Sequence, residues 1–253
     1  MNVSIESVSY KDRIVSFCWQ HFLLLISLFI MTFGVALCVR SNLGSSVIST
    51  IPFVMSLAGQ GGEAPAFTIG EYTYMMNFLF VVLQIAILRK GFQPVQLFQL
   101  VIGFAFGYLL DVNMWITSQI VCTSLMSKMA AQLIGCTVLA IGIAFEIRCG
   151  SVTMPGEGIT VAISRVSGMP FAKTKIVVDT CLVVIAVITG YAYFGAWQWN
   201  VVGLGTLFAM IYVGAVVKWI DPRIGWFSRI LHYRPGFRRY IFGLARFIYR
   251  RRD

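Results

Sequence analysis

Six stretches of the chain are apolar almost without interruption: Phe22–Val39, Tyr72–Leu88, Val95–Ile116, Met129–Ile147, Ile176–Phe194 and Val201–Trp219. Each is close to the roughly 20 residues that an α-helix needs to cross the hydrocarbon of a bilayer. The pattern predicts an all-α membrane protein of about six transmembrane helices. Two shorter amphipathic segments, Val47–Leu57 and Ile159–Val166, follow the first and fourth stretches and are too short to cross alone. Irregular backbone at membrane depth survives only where it is buried in protein or lines a wet cavity. We therefore read these segments as re-entrant or half-depth elements. A second reading, surface loops with short interfacial helices, stays open at this point.

The pattern repeats. FGVALCVR (Phe33–Arg40) aligns with IGIAFEIR (Ile141–Arg148), matching Gly34 to Gly142 and Arg40 to Arg148. Each is followed by a glycine-bearing break, SNLGSS (Ser41–Ser46) and CGSVTMPGEG (Cys149–Gly158), and then by one of the short segments. Further on, Met76–Leu83 aligns with Val178–Ile185, setting Asn77 against Asp179, and Leu100–Asp111 aligns with Leu207–Lys218, setting Gly107 against Gly214. Four features in one order indicate a duplication. The first repeat is expected over 22–116 and the second over 129–221, between an N-terminal segment (1–21) and a basic tail (222–253). If the short segments do not cross, three spans per half make the repeats inverted.

Composition agrees with a membrane protein. The 253 residues are 58% hydrophobic and 12% charged, with a mean hydropathy of +0.81. A soluble chain of this length needs more charge to cover its surface. The first 16 residues lack the apolar core and small-residue cleavage site of a removable signal peptide, so none is expected. A formal charge of +10 resembles a nucleic-acid signature, but 10 of the 20 Lys and Arg lie between Lys218 and Arg252. That is the distribution of a cytoplasmic tail against an anionic inner leaflet. With six spans, 18 of the 20 basic residues face the cytoplasm and only Arg40 and Lys128 lie outside. With eight spans the count falls to 16 of 20. The expected location is the bacterial inner membrane, with both termini cytoplasmic and no nucleic-acid partner. In the tail, Phe237, Tyr240, Ile241, Leu244, Phe247 and Ile248 form one helical stripe, which predicts an amphipathic helix at the headgroup boundary.

Candidate chemistry is sparse. Six scattered cysteines without a C-x-x-C pair fit helix packing, and two distant histidines argue no metal site. No cofactor motif, nucleophile elbow or zincin motif is present, so an enzyme is not expected. Arg40 and Arg148 each close the first span of a half, beside the break and the positive end of a short helix. That placement suggests a small polar or anionic solute held by Arg40, Asn42, Ser45, Ser46 and Arg148; interfacial anchoring is the alternative, with Glu146 or Glu157 as a partner for Arg148. Gly44, Pro155, Gly156 and Gly158 suggest hinges, with Glu157 as a carboxylate between two glycines. Asn77 and Asp179 complete the candidate set, Asp179 having Lys175 one helical turn away.

The motifs GVALCVRSNLGSS (Gly34–Ser46), FTIGEY (Phe67–Tyr72), MPGEGI (Met154–Ile159) and GTLFAMIYVGAVV (Gly205–Val217) resemble the YczE/YitT-type group of bacterial integral membrane proteins. The resemblance runs from about Phe22 to Asp221 and implies a transporter-like shape without a settled activity or binding residues. The function expected is a small-solute transporter or channel with its site between the repeats. Alternatives are a solute-capturing subunit of an energy-coupled uptake system and a regulatory or assembly protein. A homo-oligomer is compatible with all three.

Overall fold

The computed structural model describes residues 10–149 and 153–227. The tail helix expected over 237–248 lies outside the described residues. Eight α-helices follow in order: α1 (Tyr10–Arg40), α2 (Thr50–Gln60), α3 (Ile69–Leu88), α4 (Phe98–Ile116), α5 (Leu125–Cys149), α6 (Pro155–Ser167), α7 (Phe171–Phe194) and α8 (Leu204–Ile220). 3-10 turns precede α2 (Val47–Ser49), lie between α3 and α4 (Arg89–Gly91 and Pro94–Leu97), and follow α4 (Thr117–Gln119) and α8 (Asp221–Ile224). Among the described residues there is no strand. Six helices are long and apolar enough to cross a membrane, and they fall on the six stretches named above. α2 and α6 are the two short ones, so each half runs long, short, long, long.

Local chemistry sets the boundaries. Thr68 accepts from the backbone N–H of Glu71, whose carboxylate accepts from the N–H of Thr68, a reciprocal cap that starts α3. Pro155 opens α6 at a position where its missing donor costs nothing. Gly168 and Gly195 end α6 and α7 in the left-handed conformation, with φ of 71° and 63°.

α1 and α5 cross at the centre. Gly34 lies against Gly135 and Leu139, Gly142 against Met31, and Gly135 against Cys38. A Cβ on Gly34 would come within 2.7 Å of the Gly135 carbonyl oxygen, and one on Gly142 within 2.6 Å of the Met31 nitrogen. Small residues here let two backbones approach as they do in membrane helix pairs. The contacts run in opposite chain directions, so α1 and α5 are antiparallel. Met31 and Leu139 are 108 positions apart, as are Gly34 and Gly142, so Gly34–Leu139 and Gly142–Met31 are one contact seen from either half.

Around this pair the packing repeats with one exception. α4 packs on α1 as α8 packs on α5; α6 packs on α3 as α2 packs on α7; α2 packs on α3 as α6 packs on α7. α3 and α4 pack tightly together, whereas α7 and α8 make no comparable contact. Burial follows: 39% and 33% of the apolar windows of α3 and α4 are buried, against 22% and 17% for α7 and α8. The outer faces carry exposed apolar side chains such as Phe104, Leu204 and Ile211, a surface suited to lipid and costly in water.

Candidate functional site

The missing contact leaves a cavity of about 300 Å³ between α7 and α8. Most of its wall is apolar, with Met31, Phe106, Leu139, Ala209 and Val213 among the lining residues. Its polar side chains are Ser46, Glu157, Lys175 and Asp179. Size and character match small-molecule sites, which are largely apolar with a few convergent polar groups. Ile147, Phe171 and Val217 lie at the end of the cavity shared with Arg148, and the 3-10 turn before α2 adds Ser46, Val47 and Ile48 to the lining.

Three of the candidate binding residues, Ser46, Glu157 and Asp179, are therefore brought together. Asp179 accepts from Lys175 Nζ at 2.7 Å, one helical turn apart as its spacing predicts. Lys175 is the more exposed of the two, 35% against 14%. Glu157, in the first turn of α6, has no side-chain hydrogen bond or ion pair among the described residues. Burial pushes its carboxyl above the ordinary range; the charge of Lys175 opposes this and that of Asp179 adds to it.

The symmetric arginines stand elsewhere. Arg40 Nη2 donates to the Met114 carbonyl at 2.8 Å in the last turn of α4. Arg148 Nε donates to Asp221 Oδ1 at 2.8 Å, and its Nη2 donates to the Asp221 carbonyl that follows α8. Each cation thus sits at the C-terminal end of the fourth helix of its half, where free carbonyls and the negative dipole end favour it. Arg148 forms its ion pair with Asp221, where sequence spacing suggested Glu146 or Glu157. Glu146 is instead buried in α5 and accepts from the Met154 N–H at 3.2 Å.

Asn42 is exposed with a φ of 54°. Ser45 is buried, its N–H bonded to the Val201 carbonyl at 3.0 Å. Gly44 has a φ of 123° and a backbone pressed on Thr206 and Gly203, so glycine suits this turn. The other hinge candidates differ from expectation: Pro155, Gly156 and Gly158 are helical and buried within α6. Their small size serves approach. Gly156 abuts Ile48, and Gly158 abuts the amides of Gln84 and Gln99, which bond to each other at 2.9 Å. Asn77 is 1% exposed and packs on Gly103 of α4, outside the cavity. Among the described residues no group of His, Cys, Asp and Glu has metal-site geometry.

A profile of one family, described as of unknown function and designated DUF6198, matches residues 18–222. The chain belongs to that family. The match takes in α1 from Cys18 onward, the other five long helices and every residue of the cavity. The chain is also similar to an uncharacterized protein, YyaS, of Bacillus subtilis (strain 168), at 23% identity over 198 residues, covering 78% of this chain and 90% of that protein. No solved structure matches with significance. These relations do not bear on the YczE/YitT-type group, and DUF6198 is the family that stands.

The sequence offered no direct sign of Lys175 as a cavity residue beyond its spacing to Asp179. It also hid the cavity itself, which exists because two apolar helices stay apart. The one available signal was Asp179 against Asn77, a charge in one half where the other has a neutral amide.

Proposed function

We propose that the protein is a small-solute transporter built from two inverted repeats, with its solute site in the cavity between α7 and α8. The observation that carries this is the cavity: an apolar chamber with charged groups at one side, reaching from the level of the α1–α5 crossing toward the Arg148 end. Ionisable groups placed within a membrane are costly and usually serve a pathway. The antiparallel α1–α5 pair and the matching Arg40 and Arg148 caps support inversion, and secondary transporters with inverted repeats hold their sites between the halves. The charge bias of 18 against 2 favours a cytoplasmic Arg148 end, and on that reading the cavity opens inward. α2 and α6 are then the half-depth elements. The tightly packed α3–α4 seam is the corresponding outer gate, closed, and opening it while α7 and α8 close would present the site to the other side.

The test is accessibility. Gly214 lines the cavity, and a Cβ there would meet no atom within 4 Å, so Gly214→Cys is tolerated sterically. In a cysteine-free background a charged, membrane-impermeant thiol reagent should label it rapidly from the cytoplasmic side of inside-out vesicles. Rapid labelling from both sides would make the protein a channel. Absence of labelling from either side would remove the solute cavity and favour a non-transporting membrane protein.

A further inference from the structure

The charges in the cavity do not balance. Lys175 is committed to Asp179 at 2.7 Å, which makes that pair close to neutral. Glu157 is left without a side-chain partner among the described residues, against a wall that is mainly hydrocarbon. Arg40 and Arg148, the cations that would draw an anion, are bound to helix ends outside the lining. A carboxylate on a largely apolar wall is stabilised by a cation that also fills the chamber.

We propose, resting on the transport reading above, that the solute is a small organic monocation: an ammonium that docks on Glu157 and an apolar body that fills the space lined by Met31, Phe106, Leu139 and Val213. An anion would have to displace Asp179 from Lys175 and sit beside two carboxylates. A zwitterion would add its own carboxylate to the same neighbourhood.

The geometry adds a coupling. The groups acting on Glu157 are Lys175 and Asp179 from α7 and Glu146 from α5, while α3 and α4 bring only the amides of Gln84 and Gln99 to the adjoining turn at Gly158. Burial and Asp179 favour the protonated acid and Lys175 the carboxylate, with burial the largest. A cation that binds there takes the proton's place, and the proton leaves to solvent at the Lys175 mouth. Solute and proton then compete for one carboxylate, which is the requirement for exchanging one against the other. Because the carboxylate is the binding form, affinity rises with pH until Glu157 is fully ionised, by up to about tenfold per unit.

Titration calorimetry on the full chain in nanodiscs, with empty nanodiscs as reference, tests this with three probes of one skeleton: phenethylamine, phenylalanine and 3-phenylpropionate. Phenethylamine should bind, releasing a proton detectable from the dependence of the heat on buffer. Phenylalanine should bind at least tenfold more weakly and 3-phenylpropionate not at all. Glu157→Gln, of the same shape, should lose at least about tenfold for phenethylamine and abolish the pH dependence, with an unchanged melting temperature. The proposal is overturned if phenylalanine or 3-phenylpropionate binds tightest, if none of the three binds, or if Glu157→Gln binds phenethylamine as the parent does. With Gly214→Cys still labelled from the cytoplasmic side, those results would reject the cation and leave the transport reading intact. Without that labelling, both fall.

Discussion

Where α3 meets α4, Gly107 lies so close to Gly70 that a Cβ would come 2.5 Å from its carbonyl oxygen, and Gly103 lies against Asn77. Where α7 would meet α8, the matching Gly214 faces open space and the matching Asp179 lines a cavity. Both seams come from the same repeated order of helices, yet one is closed at backbone contact and the other is apart. The closed seam carries a neutral amide, and the open one carries a charge paired to a lysine. A charge is tolerated where water reaches it and costs several kcal/mol where it does not, so composition and packing agree at each seam.

The largest expected effect breaks that difference directly. Gly107→Val should cost about 3 kcal/mol or more and leave little folded protein, because two backbones must separate. Gly214→Val should stay within about 1 kcal/mol of the parent, since it adds a side chain to empty space and removes a helical glycine. Thermal unfolding in detergent of both variants measures the contrast. Equal losses would mean that α7 and α8 are packed as α3 and α4 are.

Next in size are the arginine caps, where the two halves should behave alike. Arg40→Gln and Arg148→Gln should each lower stability by about 1.5–3 kcal/mol, through lost charged hydrogen bonds. Phenethylamine affinity of the folded fraction should not change. Reduced affinity at normal melting temperature would return these residues to a solute site.

A smaller contrast lies at the start of α3, where Asp111 accepts from Thr68 Oγ1 at 2.6 Å and from the Gly70 N–H at 2.8 Å. Asp111→Asn should destabilise by about 1 kcal/mol, the size of a cap interaction. Its match in the second half, Lys218→Gln, should be near neutral. Equal losses from the two would contradict the asymmetry.

The smallest effect concerns Asn77, whose amide oxygen and nitrogen are both buried without a partner among the described residues. Replacing it by Leu removes an unsatisfied group of similar volume, so Asn77→Leu should hold or raise the melting temperature by a few degrees. A fall of 5 °C or more would mean that the amide has a partner in the folded protein.

Much of the architecture was legible in the sequence because a bilayer turns composition into length: an apolar run of about 20 residues has few other uses. The correspondence of Arg40 and Arg148, each at the end of the first long helix before a short one, was also legible. Their role was less so. An arginine after a helix looks the same whether it faces a solute or a neighbouring helix end, and only the position of Met114 and Asp221 decides. Glycine was ambiguous for a similar reason. Gly44 has a positive φ that needs glycine, while Gly156 and Gly158 are helical and keep their size small for Ile48, Gln84 and Gln99. The cavity was illegible because it depends on a contact that two helices do not make.

On the transport reading, the two seams are alternative states of one plan. Double electron–electron resonance in nanodiscs tests it with one spin-label pair on Ile176 and Trp219, across α7 and α8, and another on Met75 and Tyr108, across α3 and α4. All four side chains are exposed, so labels should be accommodated. Each pair should show a short and a long distance whose populations are complementary between seams. A small wedge, Gly107→Ala, should increase the long α3–α4 fraction and the short α7–α8 fraction together. A single fixed distance at both seams, or two seams that open and close in step, would contradict the account.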